Sequence, residues 1–386
     1  MERYRIYGCG ALALFFCLTL LGSCSYDESE AEINETHYAL SDDRGGEMPS
    51  ASVAYRGWMV GFKTLESELA ALIYFDDNGV IVEEEVPALQ GPAGLLTVHA
   101  LDSEHAWAGG WEGPFAEPQA ILLARDECGW QVALSSSLCV GISAFDFLDD
   151  ENGWAVCRYP GQAIGFRYQS GIWTPVNNPG RDASLDMVYY DVGLRSANHA
   201  FFAGISYAAS GLAVLREVRQ GFWSRPWTGG YFDSLASVDF DDAGRGYAAR
   251  CTWRAGYSPV EMITYDEGDW RHVWFPRFEG CLQDLTVAPD GTWYASGTGN
   301  AIFRKTGNEW ERMASPSPPL ASELYGIDFP AAGLGFAVGH EGSPVAPSGL
   351  AIALRTEGQT WQRITLPNGA EYGRSLRDVS YVGSED

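Results

Sequence analysis

A chain of 386 residues that is 46% apolar and only 20% charged has the material for a large core, which excludes an intrinsically disordered protein. Its 51 acidic residues outnumber 25 basic ones, and the formal charge of −26 excludes nucleic acid as a partner, because phosphate binding needs clustered cations. At about 150 residues per domain the length suggests two or three domains, unless the chain repeats itself.

Residues 1–24 open with Arg3 and Arg5, continue as an apolar run to Leu21 and leave through small residues, the pattern of a secretory signal. The apolar run is about 15 residues, short of the ~20 that span a bilayer, so a retained transmembrane helix is not expected. Leu21-Gly22-Ser23-Cys24 resembles the lipobox of bacterial lipoproteins. That resemblance implies a signal peptide over 1–23, diacylglycerol on the Cys24 thiol and, from Ser25, sorting to the outer membrane. Several acyl chains at about 0.8 kcal/mol per buried CH₂ make a stable anchor. Loss of residues 1–23 leaves 23 basic against 50 acidic residues, a net charge of −27. Anionic head groups repel such a surface, so the lipid alone is expected to hold the protein to the membrane. After Cys24, the segment to residue 50 is acidic and aperiodic and reads as a flexible stalk.

From residue 51 the chain repeats. A first strand-like unit, often with Asp before an aromatic, starts at Leu95, Ile142, Leu185, Leu235, Leu282, Leu324 and Leu376, at spacings of 42 to 52 residues. An aromatic-small-small unit starts at Trp58, Trp107, Trp154, Phe201, Tyr247, Tyr294 and Phe336. A third, apolar unit runs into a glycine turn, and in six of the seven repeats a Trp opens the fourth: Trp130, Trp173, Trp223, Trp270, Trp310 and Trp361. Short runs of aromatic and β-branched residues between Gly, Asp, Asn and Pro are strands. Four strands per repeat make a β-propeller blade, and the 336 residues of 51–386 divide into seven units of 48. The chain begins on a second strand and stops after a seventh first strand. The predicted fold is therefore an all-β, seven-bladed propeller, closed by pairing the C-terminal strand with the N-terminal blade.

The turn-plus-Trp element, best in RTEGQTW (Arg355–Trp361) and YQSGIW (Tyr168–Trp173), resembles the Asp-box of sialidase-like, BNR-type propellers and of the photosystem II assembly-factor type. The opening Ser of that box is absent, and Asp126 and Asp266 are the nearest to its Asp. Resemblance to a sialidase implies three converging arginines and a Tyr nucleophile assisted by Glu. Arg158, Arg254 and Arg374 are placed toward one end of the ring, but the family's Arg-Ile-Pro is absent. The assembly-factor resemblance implies a basic client-binding patch, which a chain with two Lys is poorly equipped to build.

No catalytic constellation is read from the residues. The histidines outside the signal are scattered, the acidic clusters Asp76-Asp77, Asp149-Asp150-Glu151 and Asp239-Asp241-Asp242 read as turn caps, and neither a metal nor a cofactor is expected. Propeller topology places Cys139, Cys157, Cys251 and Cys281 on one face, so Cys139–Cys157 and Cys251–Cys281 are the candidate disulfides in an exported protein. That face also carries the longest loops, with Trp111, Phe115, Arg158, Tyr159, Tyr207, Trp253, Arg254, Tyr257 and His340. Exposed aromatics with arginine are the chemistry of a recognition surface. The expectation is a lipid-anchored, non-catalytic binding module for an envelope protein or glycan. A sialidase-like glycosidase and a structural envelope protein are the alternatives.

Overall fold

In a computed structural model of the protein, the described residues are 54–383 without 64–68, 115, 161–162, 178–186, 208–210, 232, 253–261, 277, 279, 317–321, 343–349, 359 and 368–374. Their 28 strands form seven four-stranded antiparallel sheets, the blades of a β-propeller. Blades one to six are Ala93–Ser136, Cys139–Asn177, Met187–Tyr231, Asp233–Val273, Leu282–Arg312 and Ser322–Arg363, each running outward from its first strand. Blade seven is composite. Ser375–Gly383 is its inner strand, and Tyr55–Phe62, Ala70–Asp76 and Ile81–Glu83 are the outer three. Tyr55 pairs with Gly383 and Phe62 with Ser375, the closure expected from the two chain ends.

The repeated aromatic and aliphatic positions form seven buried clusters, each shared by two neighbouring blades. Between blades seven and one, Trp58 and Val60 meet Leu95, Ile121, Leu123 and Trp130. The two indoles pack edge to face at 6.0 Å, and both donate to the Glu84 carboxylate, at 2.9 and 2.6 Å. The Trp that opens a fourth strand thus seals the outer side of the wedge between blades, where the gap is widest. The glycine before it makes the turn: Gly171, at φ 89°, sits in the left-handed region.

Every inner strand carries a bulge in its first half. The register skips Leu96, Ser143, Tyr190, Ala236, Gln283, Tyr325 and Arg377. This gives the glycine ending the aromatic-small-small unit its reason. A Cβ on Gly110 would lie 1.9 Å from the Gly94 carbonyl oxygen, and one on Gly339 equally close to that of Glu323. At these two positions the small residue accommodates the bulged strand of its own sheet.

Disulfides join Cys139 to Cys157, with Cα atoms 6.0 Å apart, and Cys251 to Cys281, at 4.3 Å. The first lies within blade two. The second ties the second strand of blade four to the entry of blade five.

Candidate functional site

The inner strands surround an axial cavity of about 340 Å³, and all seven bulge residues line it. A bulge adds a residue and re-aims side chains, and here the skipped residue of each blade joins the channel wall. Beyond the bulge, alternate positions also face the axis. Asp191, Asp284 and Asp378 follow the bulge directly in blades three, five and seven, and Asp146, Asp239 and Asp328 come two residues later in blades two, four and six. Blade one has Thr97 and His99 at these two positions.

These carboxylates connect one blade to the next. Asp378 accepts from the Val98 N–H (3.0 Å) and the Thr97 hydroxyl (2.9 Å), Asp146 from the Leu194 N–H (2.5 Å) and Asp191 from the Val238 N–H (2.8 Å). Asp284 accepts from the Ile327 N–H (2.9 Å) and Asp328 from the Tyr381 N–H (3.1 Å). Desolvation outweighs these bonds and lifts Asp191 and Asp328 to about 6 and Asp239 and Asp378 to about 7, with Asp146 and Asp284 also well above the ordinary range. His99, its ring tilted against that of Phe147 at 4.7 Å, is pushed down to about 4 by its burial and is neutral. The Asp–aromatic signature of the first strands is thus a blade-to-blade latch. Asp239 belongs to it and not, as its neighbours suggested, to a turn cap. Asp76, Asp149 and Asp241 do cap turns, each accepting main-chain N–H bonds at 2.9 to 3.0 Å.

At the long-loop end the channel mouth is built from tyrosine and arginine. Arg158, at the end of the second strand of blade two, lies 5.9 Å from the ring centroids of both Tyr159 and Tyr190. Tyr190 and Tyr207 share a hydrogen bond, and burial raises the Tyr190 phenol well above its ordinary range. Arg377 lies 4.9 Å from the Phe62 ring and 4.2 Å from that of Tyr325, whose hydroxyl bonds with both Arg377 and Glu323. Burial raises Tyr325 as well, so both phenols stay protonated. His340 is buried and stacks on Tyr325 at 5.3 Å, and desolvation lowers its basicity.

Of the residues singled out from sequence, Arg158, Tyr159 and Tyr207 come together around Tyr190, while His340 lies against Tyr325. Tyr159 and Tyr207 are about half exposed, at 48% and 53%. Trp111 is half-buried beside its cross-strand partner Gly94, on which a Cβ would lie 2.8 Å from the indole nitrogen. Phe115, Trp253, Arg254, Tyr257 and the lipidation candidate Cys24 lie outside the described residues. Sequence reading missed Tyr190, Tyr325 and Arg377. All three are bulge residues: Tyr325 and Arg377 directly follow Leu324 and Leu376, where comparison of the repeats would have shown them, whereas Tyr190 follows Tyr189, four residues past the Leu185 that opens its unit. Among the described residues, no group of three or more His, Cys, Asp or Glu is arranged to hold a metal.

No family model matches the chain, and no curated protein matches it by sequence. Its likeness is to solved propeller structures. A putative 6-phosphogluconolactonase from Bacteroides uniformis is 15% identical, with a TM-score of 0.56 over 86% of this chain and 100% of that one. YCF48 bound to D1 peptide is 16% identical, with a TM-score of 0.52 over 79% and 89%. A catalytically inactive virginiamycin B lyase from Staphylococcus aureus with quinupristin is 11% identical, with a TM-score of 0.52 over 76% and 94%. At these identities the likeness establishes the fold and leaves activity to the site.

Proposed function

We propose that this protein is a lipid-anchored β-propeller of the cell envelope that binds a partner, without catalysis, through the long-loop face over the axial channel. The observation that carries the reading is the convergence of Arg158, Arg377, Tyr190, Tyr207 and Tyr325 at the channel mouth, with Tyr159 and Tyr207 half exposed at its rim. Aromatic and arginine side chains of this kind dominate the energetics of protein recognition. YCF48, a propeller of similar fold, has been solved with a bound peptide, which makes a protein partner the favoured one. The Cys24 lipobox supplies the anchor, to the outer membrane by its Ser25. The test is capture from envelope extracts by the full-length protein, alongside a glycan array, with the double variant Tyr159→Ala/Tyr207→Ala as control. Enrichment of a protein by the wild type and its loss in the variant is expected. Equal recovery by both, or enrichment of neither protein nor glycan, rejects the reading.

One observation favours the sialidase-like alternative. The Glu323–Tyr325 pair lies with Arg377, and Arg158 is close enough to act on that guanidinium. A nucleophilic tyrosine needs its phenolate within reach, whereas burial raises Tyr325, so binding ranks first. Hydrolysis of a chromogenic sialoside that Glu323→Gln abolishes would reverse that order.

A further inference from the structure

Arg158 and Arg377 form no ion pair among the described residues, in a chain with 51 acidic residues to 25 basic ones. Other arginines find carboxylates: Arg125 reaches Glu84 at 3.6 Å, Arg245 reaches Asp241 at 2.7 Å, and Arg250 pairs with Asp233. Arg377 is the more demanding case, because its Nε is buried with no acceptor. A guanidinium stays charged in proteins, and Arg377 has only the Tyr325 hydroxyl and the attraction of the nearby Glu323 carboxylate, without a direct ion pair, to offset its burial. Arg377 and the half-buried Arg158, near enough for Arg158 to disfavour the charge on Arg377, are positioned by the rings of Phe62, Tyr325, Tyr159 and Tyr190.

Resting on the long-loop face as the binding surface, we infer that the channel mouth receives the terminal carboxylate of a peptide whose body is neutral or basic. A carboxylate offers the planar pair of acceptors that a guanidinium fork matches. The aspartates farther down the channel oppose deeper entry of an anion, so the charged group stops at the mouth and the ligand body extends outward across Tyr159 and Tyr207. A net charge of −26 repels a polyanion but attracts a cationic body, which favours a peptide end over an acidic glycan.

The test immobilises the full-length protein in detergent micelles and applies a random hexapeptide pool made in two forms, free acid and C-terminal amide, with N-acetylneuraminic acid as a third probe. The free-acid pool is expected to be retained about tenfold better than the amide pool, with retained peptides enriched in Lys and Arg and retention falling with salt. Arg158→Gln and Arg377→Gln are each expected to remove about tenfold of that retention. Arg158 is half-buried, so its variant decides the matter if Arg377→Gln melts early. Equal retention of acid and amide overturns the carboxylate assignment while leaving the binding face standing. Preference for the sugar acid overturns the peptide source. Retention of no probe overturns the inference, and only failure of envelope capture as well removes the binding face.

Discussion

Replacing Asp378 with alanine tests the latch that closes the ring. Its carboxylate accepts from the Val98 N–H at 3.0 Å, the Thr97 hydroxyl at 2.9 Å and the Val379 N–H at 2.8 Å, joining the C-terminal strand to blade one. The hydroxyl can rotate toward another acceptor, but the two main-chain donors cannot move. Each buried donor left without an acceptor costs about 1–3 kcal/mol. Channel water and relief of the desolvated carboxylate offset part of this, leaving a net loss of about 2–4 kcal/mol. At roughly 2 °C per kcal/mol for a domain of this size, Tm should fall by about 4–8 °C. Thermal unfolding of Asp378→Ala beside Asp150→Ala, an exposed turn aspartate, is the assay, and the control should change stability by less than about 0.5 kcal/mol. If the two variants melt together, the channel aspartates are not latches and the physical account of ring closure is wrong.

Further outcomes follow from the same structure. Asp191 and Asp328 at about 6 and Asp239 and Asp378 at about 7 lie above the ~3.9 of an unfolded aspartate, so between those values the folded chain holds protons that unfolding releases. Their stabilising contribution is complete below pH ~4 and is lost as pH rises through 6 to 7, so the urea midpoint should be higher at pH ~5 than at pH ~8; a higher midpoint at the alkaline end contradicts this. Cys251–Cys281 closes a loop of sequence separation 30, and the double alanine variant should lose about 3 kcal/mol in denaturant unfolding. An unchanged midpoint would show that the bridge does not constrain the unfolded chain. Deleting 375–386 removes the inner strand of blade seven and should lower Tm for the ring as a whole, whereas a truncated chain that melts like the intact one argues against this closure.

The propeller was legible because its signals are periodic. Seven aromatic-small-small units and seven glycine turns each report a local requirement, and the unmatched strands at the two ends revealed the closure. The channel mouth was only half legible. Arg158, Tyr159 and Tyr207 stood out because they lie in long loops or at strand ends, where an aromatic or arginine needs explaining. Tyr190, Tyr325 and Arg377 lie within strands, and a bulge does not show in the alternation of apolar and polar residues. The same blind spot misplaced Asp239: beside Asp241 and Asp242 it reads as a turn residue, and only the register of its sheet turns it into the channel.

The most direct test of recognition through the long-loop face is site-specific photocrosslinking in intact cells. A benzophenone amino acid is placed at Tyr159, on the mouth rim, and in a separate protein at Phe222, 80% exposed at a turn of the opposite face. Recognition through the long-loop face gives a discrete adduct from position 159 and none from position 222. An adduct from position 222 with none from position 159 would contradict it.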